Sequence, residues 1–269
     1  MTGYESYTTM TFARERRVLT VTLNRPDVLN AVNAAMHSEM ARLFNDIAAD
    51  AETDIVVLTG AGRAFCAGGD VDWLQGAIDD ISIFDGIAVE AKQIVFGLLD
   101  LEKPVICRLN GDAVGLGATV ALFCDIIIAA DNARIGDLHV NIGLSAGDGG
   151  AIIWPQLIGY PRAKEFLMTG RLIDGSEAAA LGLVNEAVPA EELDARVERM
   201  VGKLERGATQ AIRYTKVSIN VGLRQLAHAM MDASIAYESL TNVSADHREG
   251  LAAFRERRKP TFGRGRGSR

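Results

Sequence analysis

Short β-branched runs alternate with helical segments over the first 130 residues, and this alternation constrains the fold more than any other feature. Residues 34–50 carry apolar side chains at the spacing of one helix face, and 87–101 and 117–124 are also predicted helices. Strand and helix in alternation favour an α/β fold with largely parallel sheets. The predicted strands are 18–23, 55–60, 105–107 and 126–130.

The pattern changes in the last third of the chain, which is nearly all helical. Helices are predicted at 191–204, 208–221, 223–237 and 246–257. We therefore predict an α/β core over 1–188, followed by a helical region over 189–262. Residues 263–269 are glycine, arginine and serine only, which predicts a basic, disordered tail.

The composition excludes several classes of protein. Of the 269 residues 48% are hydrophobic, enough for a sizeable core, and the net charge of −7 argues against a general nucleic-acid binder. Cys66, Cys107 and Cys124 lack the paired spacing of a disulfide framework or a zinc site, so we expect free thiols and no metal. No segment predicts a signal peptide or a bilayer span, so we expect a cytoplasmic protein without a membrane partner.

Two glycine-bearing segments each follow a predicted strand and open a helix. In the first, 63–70, Gly68 and Gly69 let the backbone turn close to a ligand, and Asp70 can cap the next helix. The second, 110–118, leads into an alanine-rich helix. Because helix N-termini present unpaired N–H groups, two such turns together can stabilise an oxyanion. Neither segment has the complete glycine pattern of a Rossmann site or the Gly-Lys-Ser/Thr of a Walker A site.

Motifs along most of the chain, from about residue 20 to 262, resemble those of the crotonase (enoyl-CoA hydratase/isomerase) superfamily, in the order of that family. This resemblance implies repeated ββα units in a spiral core and a C-terminal helical region that trimerises, giving a homotrimer or a hexamer, with a role in processes such as fatty acid metabolism. The motifs are Leu23-Asn24-Arg25-Pro26, Leu29-Asn30-Ala31, 64–70, Asn110-Gly111 with Gly115 and Gly117, Cys124-Asp125-Ile126, Gly143-Leu144 with Gly149-Gly150, and 178–184.

The resemblance also implies an acyl-CoA thioester substrate. Carried over position by position, the two backbone N–H groups that hold the thioester carbonyl are those of Gly69 and Leu116. The CoA is part of the substrate, so we expect no separate cofactor. The residues implied for CoA binding are Arg25, Val28, Ala64, Ala67, Phe254 and Lys259.

The resemblance breaks at the acid/base positions. Hydratases of this kind use two glutamates, and the matching positions here are Thr119 and His139. Thr119 can hold a water molecule but is no base near neutral pH, whereas an imidazole, with an unperturbed pKa of ~6.5, can accept or deliver a proton. Asp148 can return through a glycine loop and fix the tautomer of His139, and Asp137 is expected to cap or pair locally. The His139–Asp148 pair resembles the dyad of retro-Claisen C–C hydrolases in the superfamily.

These residues leave more than one function open. The first hypothesis is an enoyl-CoA hydratase-like lyase or isomerase acting on a thioester, with decarboxylation and C–C hydrolysis of β-diketones as alternatives. The second is a non-catalytic relative that binds CoA esters or RNA. The acidic body argues against RNA, so we expect no nucleic-acid partner, although the Gly/Arg tail argues weakly for one. His37, His228 and His247 lie in polar helical contexts and are expected to be exposed.

Overall fold

The computed structural model describes residues 3–263. Within this range the strands are β1 (Met10–Glu15), β2 (Val18–Leu23), β3 (Ile55–Gly60), β4 (Ala64–Cys66), β5 (Val105–Leu109), β6 (Asp112–Val114), β7 (Ile126–Ala130), β8 (Arg134–Gly136), β9 (Ile173–Asp174) and β10 (Glu186–Val188). The helices are α1 (Ala34–Ala49), α2 (Val71–Asp79), α3 (Ile81–Asp100), α4 (Leu116–Leu122), α5 (Gly150–Ile158), α6 (Tyr160–Thr169), α7 (Gly175–Leu181), α8 (Leu193–Glu205), α9 (Thr209–Asn242) and α10 (Ala245–Arg255). Short 3₁₀ turns lie at Pro26–Val28, His139–Ile142 and Ala190–Glu192.

The strands form two sheets that the chain builds in turn. The larger has the order β1-β2-β3-β5-β7-β10 and is parallel except for the β1/β2 pair; the smaller has the order β4-β6-β8-β9. Three times in succession the chain adds a strand to the larger sheet, then one to the smaller, then enters a helix, as in β3-β4-α2, β5-β6-α4 and β7-β8-α5. This repeat confirms the predicted α/β fold with ββα units.

The predicted core strands and the first helix are confirmed. Every residue of β3 is buried, as expected for a parallel strand covered on both faces. Helix α1 begins after Asn33, whose side chain accepts a hydrogen bond from the N–H of Met36 at 2.9 Å. Its apolar face, including Met40 and Phe44, is buried against the core. The strands of the smaller sheet were not predicted, because two or three residues are too few to show an alternating pattern.

The prediction of two separate helices at 208–221 and 223–237 is wrong. Residues 209–242 form the single helix α9, with Gly222 in its interior. A glycine inside a helix costs only about 1 kcal/mol relative to alanine, whereas each further hydrogen bond propagates a helix that has already formed. Gly222 faces open space, so no tertiary contact requires a break there.

The helical C-terminal region packs back onto the α/β core. In α9, Nζ of Lys216 lies 2.7 Å from Oδ2 of Asp125, and Nδ2 of Asn242 donates to the carbonyl of Ala77 at 2.7 Å. In α10, Nδ1 of His247 donates to the carbonyl of Ile142 at 2.6 Å. These contacts bring the two C-terminal helices to the end of the core that carries the glycine turns. The division at residue 188 and the assembly into trimers stay predictions.

Three further expectations concern the whole chain. The three cysteines are free and buried, as predicted. No helix within residues 3–263 is long and apolar enough to cross a membrane. The predicted disordered tail lies outside the described residues apart from Gly263.

Candidate active site

A cavity of about 340 Å³ lies between the glycine turns of the core and the two C-terminal helices. The core contributes both predicted turns and the 3₁₀ turn at His139–Ile142, while α9 and α10 close the opposite side. Residues that line the cavity include Ala67, Gly68, Gly69, Gly115, Leu116, His139, Asp148, Ile235, Glu238, Leu251 and Phe254.

The first turn, between β4 and α2, leaves the N–H of Gly69 directed away from Val32, the residue that bonds the turn from the other side. Gly68 has a φ of +87°, a left-handed conformation that glycine adopts without strain. Its carbonyl accepts a hydrogen bond from the N–H of Val32 at 2.7 Å. Because a trans peptide holds its C=O and N–H in opposite directions, the N–H of Gly69 points away from Val32. Asp70 caps α2, as predicted, by accepting from the N–H of Asp72 at 3.1 Å.

The second turn, between β6 and α4, leaves the N–H of Leu116 at the open end of a helix. Gly115 has a φ of +54°, and its carbonyl accepts from the N–H of Thr119 at 2.9 Å. The N–H of Leu116 belongs to the same peptide as that carbonyl, so it points out of the helix N-terminus. The two turns touch, since a Cβ at Gly68 would lie 3.1 Å from the carbonyl oxygen of Val114. The predicted pair of turns therefore meets in one cavity.

His139 lies between two carboxylates beside the second turn. Its Nδ1 donates to Oδ1 of Asp137 at 2.6 Å, and its Nε2 lies 3.5 Å from Oδ2 of Asp148. An ionised carboxylate only accepts hydrogen bonds, so the Asp137 contact assigns a proton to Nδ1. The ring packs against Gly115, where a Cβ would lie 3.4 Å from Cε1.

In the structure, the two aspartates have roles that differ from those predicted from the sequence. Asp148 does approach His139, but Asp137 makes the shorter contact with the ring and is the residue that holds its tautomer. Asp137 also accepts from the backbone N–H of His139 at 3.2 Å, which is the local capping that was expected. Thr119 is completely buried behind Asp148, and its Oγ1 donates to Oδ1 of Asp148 at 3.2 Å.

Glu238, which the sequence analysis missed, faces the same cavity from α9. It is only 8% exposed and shares one helix face with the buried residues Met231, Ile235 and Asn242. It packs directly on the glycine loop before Asp148, since a Cβ at Gly147 would lie 2.6 Å from its Oε2. A carboxylate on the apolar stripe of a helix was the signal available in the sequence.

The proton affinities of this cluster are strongly altered. Burial by itself lowers the pKa of His139, but the charges of Asp137 and Asp148 and the hydrogen bond to Asp137 outweigh it and raise that pKa well above its usual value. Burial raises the pKa of Asp148, although the charge of His139 opposes this. Burial, together with the charges of Asp148 and Asp137, raises the pKa of Glu238 to about 8. At pH 7 Glu238 is therefore a protonated acid that can donate a hydrogen bond.

Comparison with known proteins places the chain in a family. A family model described as enoyl-CoA hydratase/isomerase matches residues 13–265. The chain belongs to the enoyl-CoA hydratase/isomerase family. It is 32% identical to the crotonyl-CoA hydratase of Syntrophomonas wolfei, with 96% of this chain and 98% of that protein covered.

Two solved structures extend this similarity to the fold. One is an enoyl-CoA hydratase/isomerase from Mycobacterium paratuberculosis, with a TM-score of 0.89, 34% identity, and coverage of 93% of this chain and 99% of that chain. The other is a β-diketone hydrolase from the cyanobacterium Anabaena bound to (S)-3-oxocyclohexyl acetic acid, with a TM-score of 0.84, 30% identity, and coverage of 90% and 97%.

The six residues that the resemblance implies for CoA binding do not share one environment. Ala67 and Phe254 line the cavity. Arg25 pairs with Asp70, and Ala64 is buried with its carbonyl accepting hydrogen bonds from Asn30 and Asn110. Val28 and Lys259 are exposed and lie outside the cavity lining.

Two of the three remaining histidines are buried, so the expectation that all three are exposed is wrong for them. His37 lines the cavity and its Nδ1 lies 2.6 Å from Oε2 of Glu90. His247, in the first turn of α10, is completely buried, and its Nδ1 donates to the carbonyl of Ile142 in the 3₁₀ turn that carries His139. Only tertiary partners, which the local polar pattern does not reveal, make burial of these rings possible. His228 is exposed, as expected.

The Asp137, His139 and Asp148 donor atoms also lie within 4.8 Å of one another, a spacing that a cation could use. Both ring nitrogens of His139, however, already face carboxylates, and Nδ1 shares a proton with Asp137. A metal ion would have to displace that proton. The arrangement therefore favours proton transfer over metal binding.

Replacing Glu238 by glutamine is expected to stabilise the protein more at pH 9 than at pH 5. The carboxyl has a pKa near 4.5 when unfolded and about 8 when folded. As pH rises between these values, the unfolded chain ionises first, so wild-type stability falls by up to about 1.4 kcal/mol per pH unit. Glutamine cannot ionise and removes this loss. Thermal unfolding of both proteins at the two pH values measures the difference.

Glu198→Gln serves as the matched control, because Glu198 is exposed on α8. We expect its effect on the unfolding temperature to be the same at pH 5 and pH 9. A Glu238→Gln effect that is equally independent of pH would contradict the raised pKa of Glu238.

Proposed function

We propose that the protein is an enzyme that acts on an acyl-CoA thioester, stabilises its enolate with the N–H groups of Gly69 and Leu116, and moves protons with His139. The observation that carries this proposal is the position of the His139 ring. It packs on Gly115, next to Leu116, with one nitrogen bonded to Asp137 and the other turned towards Asp148 and the cavity.

The two amides suit a carbonyl oxygen on which negative charge develops. Both belong to peptides whose carbonyls are already bonded, one to Val32 and one to Thr119, so their direction is held before a substrate arrives. Donors that are fixed in advance need no reorganisation as charge develops, and removal of one such donor typically lowers kcat by about 10²–10³-fold. The helix dipole of α4 adds to the effect at Leu116.

His139 suits proton transfer at the carbon next to that carbonyl. With Nδ1 bonded to Asp137, Nε2 is the nitrogen that exchanges the proton. Because Asp137 and Asp148 raise the pKa of His139, the imidazolium is the resting form near neutral pH, so Nε2 delivers a proton and accepts one only after it has lost its own. Asp148, held by Thr119, lies beside Nε2 and can position a water molecule there. Glu238 keeps its own proton at neutral pH and adds a donor on the opposite wall.

Hydration of short enoyl-CoAs is expected to be slow. Thr119 and His139 stand where the resemblance implies the two glutamates of hydratases, and a threonine hydroxyl cannot serve as a base near neutral pH. Loss of one acid/base group typically lowers turnover by about 10²–10⁴-fold. We expect crotonyl-CoA hydration, followed by loss of the ultraviolet absorbance of its conjugated double bond, to be at least ~100-fold slower than that of the Syntrophomonas wolfei relative. A rate within tenfold of that enzyme would overturn the expectation.

A second candidate, hydrolysis of a C–C bond in a β-diketone, is favoured by the His139–Asp148 contact and by similarity to the Anabaena β-diketone hydrolase. A water oxygen, losing its proton to the neutral form of His139, would attack one carbonyl carbon; the raised pKa of His139 makes that form the minor one at neutral pH. The bond from that carbon to the carbon between the carbonyls then breaks, and its electron pair forms the enolate of the other ketone. His139 returns the proton to the enolate carbon, so a cyclic diketone and water give one keto acid.

The charges at the cavity also bear on this choice. Arg258, a cationic side chain among the described lining residues, already pairs with Glu249 and Glu256, and Arg25 pairs with Asp70. A CoA pyrophosphate would have to compete with these carboxylates.

The two candidates are separated by parallel incubation of the protein with acyl-CoA thioesters and with bicyclic 1,3-diketones, analysed by mass spectrometry. A keto acid formed with gain of one water supports C–C hydrolysis. Turnover of thioesters alone supports the acyl-CoA enzyme.

A further inference from the structure

A second histidine faces the cavity, and the proposed proton transfer does not use it. His37 lies on α1, is 1% exposed, and lines the cavity together with residues of α2 and α3. Its Nδ1 lies 2.6 Å from Oε2 of Glu90 on α3. Its ring also packs beside that of Trp73 on α2, with the ring centroids 5.0 Å apart.

The contact with Glu90 determines which ring nitrogen of His37 is available. Burial favours the neutral acid, but the hydrogen bond and charge of His37 outweigh it and hold the pKa of Glu90 below its usual value. Glu90 is therefore a carboxylate that accepts from Nδ1, which leaves Nε2 for a ligand. Among the hydrogen bonds of the described residues, none involves Nε2 of His37.

The surroundings of His37 are otherwise apolar. The neighbouring lining residues from α2 and α3 are Trp73, Leu74, Phe84, Ile87 and Ala91. Nε2 of His37 is not among the fully buried side-chain atoms without a partner, so it is open to the cavity, where a ligand group can bond to it in place of water. This part of the cavity therefore combines an apolar surface, suited to a carbon chain or ring, with a single hydrogen-bonding position.

We propose that the end of the cavity between α1, α2 and α3 binds the acyl part of the substrate, and that His37 selects acyl groups bearing a hydroxyl by a hydrogen bond to its Nε2. The inference rests on the proposed function, because it assumes that the reacting carbonyl lies at the glycine turns. A hydroxyl both donates and accepts, so it matches Nε2 in either protonation state. A carboxylate on the acyl group would meet the charge of Glu90, which opposes it.

The inference is tested with hexanoyl-CoA and its 4-, 5- and 6-hydroxy derivatives as calorimetric probes. We expect the wild type to bind at least one hydroxylated probe about tenfold tighter than hexanoyl-CoA, the range of one well-placed hydrogen bond. His37→Phe keeps an aromatic ring beside Trp73 without a nitrogen, so the ratio of the hydroxylated-probe affinity to the hexanoyl-CoA affinity should fall to about one, whatever the substitution does to hexanoyl-CoA binding itself. An unchanged preference, or an equal loss for all probes, would overturn the inference.

A second measurement needs no substitution. In wild-type protein labelled with nitrogen-15, the Nε2 resonance of His37 should move on addition of the preferred hydroxylated probe and not on addition of hexanoyl-CoA. Equal responses to both would also count against the inference. If no thioester binds at all, the acyl-CoA function is contradicted, and the same comparison of cyclohexane-1,3-dione with its 5-hydroxy derivative then decides the role of His37 separately.

Discussion

Replacement of His139 by alanine is expected to lower kcat by about 10²–10⁴-fold on whichever substrate the wild type turns over. The imidazole of His139 is bonded to Asp137 through Nδ1, and its Nε2 faces Asp148 and the cavity. In both proposed reactions, Nε2 of this ring transfers the proton. KM should change far less than kcat, because the loss falls on a step of the reaction rather than on binding. Steady-state kinetics over a range of substrate concentrations up to saturation measure both constants.

His228→Ala provides the matched control for this substitution. His228 is exposed on α9, where its ring stacks on Phe96 at 4.4 Å, and it lies outside the cavity lining. Its removal should leave kcat unchanged within about twofold, as for surface substitutions in general. Circular dichroism and thermal unfolding of both variants establish that they are folded. A folded His139→Ala protein with kcat within threefold of the wild type would exclude His139 as the acid/base.

Replacement of Leu116 by proline is expected to lower kcat by about 10²–10³-fold, the effect of deleting one donor to a developing oxyanion. Leu116 is the first residue of α4, a position where proline is well tolerated because its missing N–H has no partner within the helix. The substitution therefore removes the proposed donor while the helix is kept. Kinetics on the same substrate as for His139 measure the effect.

Leu116→Ala is the comparison that isolates the N–H group. Leu116 is 6% exposed, so both variants lose the packing of a buried leucine side chain and should lose similar stability. Only the alanine variant keeps the amide. If the two variants have equal kcat at matched folded fractions, the N–H of Leu116 does not stabilise the reacting oxygen, and the two-amide proposal fails.

The fold was predictable because its signals are local. The buried strands and α1 each carry a hydrophobic period within one segment, and residues 126–130 form β7 with the predicted boundaries. The strands of the smaller sheet are too short for such a period, and they exist because the larger sheet brings their neighbours alongside. Helix α9 continues through Gly222 because propagation outweighs the local cost of one glycine.

The candidate site was predictable where glycine or an unusual polar residue stood in a recognisable motif. The turns at Gly69 and Leu116 and the approach of Asp148 to His139 follow from such motifs. The partner of Nδ1, by contrast, was assigned to the wrong aspartate, because the direction of a side chain two residues away depends on the 3₁₀ turn that forms at His139–Ile142.

By itself, the sequence determined the alternation of buried strands and helices and the two glycine turns, since each is encoded within a few consecutive residues. The repeated ββα units and the place of His139 beside the turns were predicted from the resemblance to the family. The tertiary structure alone decided that Glu238 and His37 face the same cavity and that Asp137 holds the ring. The physical reason is that burial and proton affinity depend on groups far apart in the chain. The carboxyl of Glu238 holds its proton because α9 buries it beside residues a hundred positions earlier.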